Sequence, residues 1–369
     1  MSANRDSAYR VMVVDDSAVI RGLLSRALEE DPEIAVVSSV ANGQMAVSSI
    51  ARSEVEVVVL DIEMPVMDGL TALPKLLEAR PGVQVVMAST LTRKNADISL
   101  KAMRAGAADY VTKPSSSSEL TSADSFKREL VAKVKALGAN ARRRLGPPKS
   151  AGPVRAAAVR PAPAPRQVTL RRPPMMGPRA LAIGSSTGGP QALLKVLGEL
   201  KGPLDIPIFI TQHMPATFTT LLAEHIARVS GRPAREASEG ETVMPGTIYV
   251  APGDWHMRAE QSAGGVKLHV DQSPPENFCR PSVDPMLRSL VQIYGSRLLT
   301  VILTGMGSDG LKGCQAVVAA GGGVVAQDEA SSVVWGMPGA VATNGLCYAV
   351  LPLDRIADHL KPLLARTAA

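Results

Sequence analysis

Residues 55–70 read VEVVVLDIEMPVMDGL: an apolar run ending at Asp61, then a loop whose Asp68-Gly69 pair opens the helical pattern GLTALPKLLEA (69–79). A short run this apolar suits a strand buried on both faces of a parallel sheet. Working outward, the same alternation recurs. RVMVV (10–14), AVVSSV (35–40), VQVVMA (83–88) and DYVT (109–112) read as further strands. VIRGLLSRALEE (19–30), QMAVSSIA (44–51) and ADISLKAMRAG (96–106) read as the helices between them, and FKRELVAKVKAL (126–137) as the closing helix. Five strands alternating with helices predict a doubly wound, five-stranded parallel α/β sheet.

Open sheets of this kind bind their ligands beyond the carboxyl ends of the strands. Strand 1 ends in Asp15-Asp16, strand 3 in Asp61, strand 4 in Ser89-Thr90, and strand 5 in Thr112-Lys113-Pro114. One strand-end aspartate would be an ordinary loop cap. Three carboxylates converging on one point repel unless a cation joins them, and hard oxygen ligands suit Mg²⁺. The lysine and the hydroxyl add groups able to hold a phosphoryl oxygen.

A chain of 369 residues has room for a second domain. Residues 141–178 are rich in Pro, Ala and Arg and poor in anything able to build a core, so they read as an interdomain linker. The stretch 141–179 holds ten basic residues and no acidic one, against a chain total of +6, so the rest of the chain is net negative. The basic character is thus local; a solvated tether, without nucleic acid, is the plainer account of it, and contact with an acidic partner or membrane surface is the other. Aromatics at 3% also argue against base-stacking platforms. Three scattered cysteines fit neither a zinc pattern nor a disulfide framework and point to a reducing compartment. The polar start (MSANRDSAYR) and the lack of an apolar run of ~20 residues predict a cytoplasmic protein without membrane insertion.

Beyond the linker, RALAIG (179–184), a helix PQALLKVLGEL and IPIFIT (206–211) resume the α/β pattern. GTIYVAP (246–252) and HMRAEQSAGGVKLHVD (256–271) read as hairpin pieces, and LLTVILTGMGSDGLKGCQAVVAAG (298–321) as a return to strand–turn–helix. A mixed, mainly parallel α/β domain over 179–366 is expected. Its first strand runs into G-S-S-T-G (184–188), a G-x-S-x-G turn centred on Ser186. Such turns expose a nucleophile, bind phosphate through backbone N–H groups, or simply turn. Among five histidines, His213 ends the strand IPIFITQ and shares the carboxyl edge with Ser186, while His225 and His359 lie on helices and His269 on a strand; His256, in a loop, stays open as a second candidate. Asp309, after the strand LLTVIL, could orient the imidazole, and the glycine-rich turn at Met306 could offer an oxyanion donor. A rival reading stays open: G-M-G-S-D-G (305–310) matches G-x-G-x-x-G, with Asp328 near the offset of a ribose-binding acid.

Over 8–140 the chain resembles the response-regulator receiver family, a flavodoxin-like fold, through VVDDSAVIR, VVLDIEMPVMDGL, ASTLT and GAADYVTKP. The resemblance implies that Asp61 is phosphorylated, that Asp15, Asp16, Asp61 and the backbone carbonyl of Glu63 bind Mg²⁺, and that Ser89 and Lys113 contact the phosphoryl group. Tyr110 takes the position of the switching aromatic, and Pro114 that of a proline after a cis bond. Residues 179–366 are similar to the catalytic domain of chemotaxis protein-glutamate methylesterases, which also deamidate glutamine, through AIGSSTGGP, ITQHMP, YVAPGDWHM, FCRPSVDPM and ILTGMGSDG. That likeness implies Ser186 as nucleophile, His213 as base, Asp309 as orienting acid, and Thr187 and Met306 lining the site, with no cofactor there. It also implies methyl-accepting chemoreceptors as substrate and a histidine kinase as phosphodonor, and it leads to the expectation that the unphosphorylated receiver covers the hydrolase cleft.

Overall fold

A computed structural model describes residues 7–90, 92–113, 120–145, 168–201 and 204–365, with side chains of 120–125 left aside. The chain divides into two compact units, 1–164 and 165–369. In the first, β1 (Tyr9–Val14), α1 (Ala18–Glu29), β2 (Ile34–Val40), α2 (Gly43–Ile50), β3 (Val57–Asp61), α3 (Gly69–Ala79), β4 (Gln84–Ser89), α4 (Arg93–Arg104), β5 (Asp109–Thr112) and α5 (Leu120–Leu145) follow in turn. The strands pair in parallel in the order β2-β1-β3-β4-β5. Val57–Leu60 and Val85–Met87 are completely buried, as the apolar runs require of strands covered on both faces. The helices begin where side chains satisfy their free N–H groups: Ser17, Asn42, Asp68 and Thr92 each accept from the first turn of the helix that follows.

Helix α5 is longer than its apolar pattern predicts. It continues to Leu145 because Arg142 is anchored, pairing with the buried Glu56 at 2.5 Å and lying 4.2 Å over the Tyr9 ring. The first arginines of the basic segment therefore finish a helix. At its other end, 168–178 lies along the second unit, with Val168 packed on its core and the Arg171 amide bonded to the Cys347 carbonyl. Residues 146–167 and the Lys113–Pro114 bond fall outside the described residues.

The second unit contains β6 (Ala180–Ser185), α6 (Gly189–Glu199), β7 (Ile208–Gln212), α7 (Phe218–Ser230), β8 (Ala234–Glu236), β9 (Ile248–Val250), β10 (His256–Ser262), β11 (Gly265–Asp271), α8 (Val283–Tyr294), β12 (Leu298–Ile302), α9 (Leu311–Ala319), β13 (Gly323–Gln327), α10 (Met337–Thr343), β14 (Ala349–Leu351) and α11 (Leu353–Ala365). Its seven-stranded sheet runs β14-β13-β12-β6-β7-β9-β8, and every pairing is parallel. Among the described residues the paired antiparallel strands are the separate hairpin β10–β11, with single antiparallel bridges at Thr242–Lys267 and Glu276–Cys279. The 246–252 stretch thus differs from the hairpin expected there. Ile248, Tyr249 and Val250 are all fully buried, and three consecutive buried residues suit a parallel strand inside the sheet, not a two-faced hairpin. Strand order reverses around β6, which places the carboxyl ends of β12, β6 and β7 side by side at a switch point.

Candidate active site

In the first unit, β1 and β3 are neighbours and bring Asp15 and Asp61 together at one edge. One carboxylate oxygen from each of Asp15, Asp16 and Asp61 lies within 4.8 Å of the others. Lys113, delivered by β5, reaches Asp15 at 2.5 Å and Asp61 at 2.6 Å. Burial raises the Asp61 pKa, and the Lys113 ammonium partly offsets the rise. Crowded carboxylates of this kind, two buried and one exposed, fit a hard divalent cation such as Mg²⁺. The loop after β3 is closed tightly: a Cβ on Gly69 would stand 2.0 Å from the Asp61 carbonyl oxygen, so glycine is sterically required there. The Glu63 side chain turns outward to Lys94 at 2.7 Å, leaving its backbone carbonyl as the group the resemblance assigns. Ser89 is buried and accepts from Ser99, and Tyr110 is buried with Lys133 over its ring.

In the second unit, three adjacent strands supply Ser186, His213 and Asp309. His213 Nε2 lies 2.7 Å from Asp309 Oδ2. The two serines of the G-S-S-T-G turn separate cleanly. Ser185 is fully buried and donates to Gln212 Oε1 at 2.7 Å, whereas Ser186 is only half-buried. Gln212 Nε2 in turn donates to the carbonyls of Ser186 and His213, tying the two turns together. Gly305 must be glycine, since a Cβ there would meet the Ser186 Cβ at 2.9 Å. Thr187 is buried and Met306 half-buried beside these residues in sequence.

Asp309 is the most heavily bonded group of the site. Besides His213 it accepts from Ser282 Oγ (2.7 Å), Asn277 Nδ2 (2.8 Å), and the amides of Val283 (2.6 Å), Asp284 (3.2 Å) and Gly310 (2.9 Å). The Val283 and Asp284 amides are the free donors at the start of α8, where a carboxylate is favoured by the helix dipole. Burial pushes the Asp309 pKa up, but His213 and these donors more than reverse it, to about 2. His213 shows the complement: burial lowers its pKa, yet Asp309 and Cys279 carry it up to about 10. Cys279 Sγ faces the other ring nitrogen, Nδ1, at 3.4 Å.

Sequence reasoning misses Asn277, Cys279, Ser282 and Gln212 as site residues. S-V-D-P (282–285) carries a helix-start signal, but nothing local tells which carboxylate sits over that helix end. The remaining histidines have structural partners: His256 accepts from the Ser282 amide, His269 pairs with Glu239, His359 meets the Tyr348 hydroxyl, and His225 is buried. The dinucleotide reading of 305–310 is not supported, because Asp309 in that turn is directed at His213 and Asp328 is engaged by Ser331 within its own loop.

A histidine acts as base only when neutral, so a rate that depends on His213 as base rises with pH toward the His213 pKa. Removing Cys279 deletes one of the contacts that raise this pKa. In C279A the acid limb of the kcat/KM profile is therefore expected to move to lower pH, and an unmoved limb would dissociate Cys279 from the imidazole.

A parallel sheet with paired acids and a lysine at one edge, joined to an α/β unit with a Ser/His/Asp edge, defines a receiver-regulated hydrolase-type protein. The family models agree: the response regulator receiver domain matches residues 11–123, and CheB methylesterase matches residues 181–360. A protein-glutamate methylesterase/protein-glutamine glutaminase of a group 2 operon from Rhodospirillum centenum is 60% identical over 98% of this chain and 95% of its own length. The Azospirillum brasilense protein-glutamate methylesterase/protein-glutamine glutaminase is also 60% identical, over 97% of this chain and 93% of its own. The Thermotoga maritima CheB methylesterase catalytic domain is 41% identical, covering 51% of this chain and all of that one, with a TM-score of 0.49. The chain belongs to the protein-glutamate methylesterase/protein-glutamine glutaminase family. Among the described residues no helix is long and apolar enough to cross a membrane.

Proposed function

We propose that this protein hydrolyses methylated glutamate side chains of methyl-accepting chemoreceptors, and glutamine amides by the same chemistry, under control of phosphorylation at Asp61. The observation that carries this reading is the His213–Asp309 pair at 2.7 Å on strand ends flanking the half-exposed Ser186. Asp309, held ionised by α8, orients the imidazole and stabilises its charged form. His213 takes the Ser186 hydroxyl proton as the serine oxygen attacks the ester carbonyl. It then gives that proton to the departing methoxide, and methanol leaves an acyl-enzyme. Water, deprotonated by the same imidazole, releases glutamate; with an amide the leaving group is ammonia. Nε2 is committed to Asp309, so the serine is served by Nδ1, which exchanges its 3.4 Å contact with the Cys279 thiol for the Ser186 hydroxyl. The Met306 amide, in the Gly305–Gly307 turn, and Thr187 are the candidate oxyanion contacts.

In the receiver unit, Asp61 accepts the phosphoryl group from a histidine kinase. Lys113 and Ser89 hold its oxygens, and Tyr110 is the switching aromatic. Asp15, Asp16, Asp61 and the Glu63 carbonyl would hold Mg²⁺, which supplies charge neutralisation for phosphoryl transfer. The working division is a receiver over 8–140, a connector over 141–178 and a catalytic domain over 179–366, in a cytoplasmic protein active in chemotaxis adaptation.

The nucleophile assignment is tested by labelling with a fluorophosphonate, which reacts with activated serines. Peptide mapping should place the adduct on Ser186 and find none in S186A. An adduct on Ser185, or none in the parent, would remove the assignment.

A further inference from the structure

The turn that carries Asn277 and Cys279 contains one residue that the fold does not explain. Glu276 and Cys279 exchange both backbone hydrogen bonds, at 2.9 and 3.1 Å. The two residues between them are left-handed, Asn277 at φ 53° and Phe278 at φ 62°. Two positive φ angles in a two-residue turn are the type I′ arrangement, whose favoured sequence is Asn-Gly. Here phenylalanine stands where glycine belongs, and its side chain is 100% exposed. It is disfavoured twice. A left-handed backbone strains a residue with a Cβ, and a fully exposed ring recovers nothing by burial.

The same turn is held rigidly against the site. Glu276 accepts from Arg288 at 2.5 Å, Asn277 Nδ2 bonds both Asp309 (2.8 Å) and Asp284 (3.0 Å), and the Cys279 thiol faces His213. The ring is therefore presented at a fixed place, one residue from an imidazole contact. Asp254 joins its loop to this one through the Arg280 carbonyl and guanidinium, which brings a second partly exposed aromatic, Trp255, onto the adjoining loop. Strain without a packing return, at a site margin, points to a contact made outside the fold.

Resting on the reading of Ser186, His213 and Asp309 as a methylesterase triad, we propose that Phe278 is a substrate-recognition residue. Its ring packs against apolar side chains of the receptor segment that flank the neutral glutamyl ester. It thereby favours protein-borne esters over free ones.

The test uses the full chain and two substrates, methylated receptor membranes and a small glutamate γ-methyl ester with blocked α groups. In F278A and F278G the ratio of receptor to small-ester kcat/KM should fall about tenfold, the scale of an aromatic contact anchor. F278Y, which keeps the ring, should hold the ratio within about twofold of the parent. F278G should melt at or above the parent temperature, because glycine relieves the turn. An unchanged ratio in F278G, or an F278Y variant as impaired as F278A, overturns the proposal. So does a gain of activity in the unphosphorylated F278G chain, which would assign the ring to a contact within the protein. S186A is run alongside: its activity on either substrate would remove the triad reading itself, whatever Phe278 does.

Discussion

Ser186→Ala is expected to reduce ester hydrolysis by roughly 10⁴–10⁶-fold, the loss seen when a triad nucleophile is removed. The neighbouring Ser185→Ala should cost turnover less than about tenfold, despite the shared turn. The difference follows from where the hydroxyls lie. Ser186 is half-exposed at the end of β6, while Ser185 is sealed beneath it on Gln212. Removing the Ser185 hydroxyl leaves the Gln212 carbonyl oxygen without its partner, a defect of about 1–3 kcal/mol in stability. Steady-state kinetics and thermal melts on both variants check the pair. Comparable loss of turnover in S185A would make the two serines interchangeable and the assignment wrong.

The second large effect is expected for Asp309→Asn, a loss of about 10⁴-fold in kcat with an intact Ser186. Asparagine keeps the size of the side chain but presents an amide to donors that need an acceptor. Ser282, Asn277 and the amides of Val283, Asp284 and Gly310 all converge on the native carboxylate. The variant should also lose about 3 kcal/mol of stability, the scale of breaking a buried pair. The pH sign is definite. Asp309 titrates lower in the folded state than its ordinary 3.8, so its stabilisation is complete above that value and lost as pH falls toward about 2. Acid melts of the parent should show this decline, and D309N should lack it. Full activity in D309N would leave His213 without an orienting acid and contradict the geometry.

Much of this is legible in the sequence. Buried parallel strands announce themselves as apolar runs, and Asp15, Asp61 and Lys113 stand out because the ends of such strands are where ligands bind. Ser186, His213 and Asp309 also follow strands, but position alone leaves a dinucleotide turn at 305–310 as a rival, and the family resemblance is needed to choose between them. What the chain does not show locally is what those residues rest on. Asp309 is held by a helix start at 282–284 and by Asn277 on a turn, contacts about 25–32 residues away in sequence. No periodicity carries that information. The 246–252 stretch misleads because a three-residue strand is too short for alternation to separate parallel from antiparallel. The end of α5 hides because Arg142–Arg144 look like the opening of a basic tether, and only the Glu56 and Tyr9 contacts make Arg142 structural. G-x-G-x-x-G at 305–310 is ambiguous for a related reason: a tight strand-to-helix turn needs glycines whether it cradles phosphate or presents an aspartate.

Phosphorylation of Asp61 is expected to drive hydrolysis at Ser186. Methanol release from methylated receptor membranes, followed with and without an acyl-phosphate phosphodonor, tests it most directly. The phosphodonor should accelerate release by the parent, D61N should stay at its basal rate in either condition, and S186A should release none. Acceleration of D61N equal to that of the parent, or release by S186A at the parent rate, would contradict it.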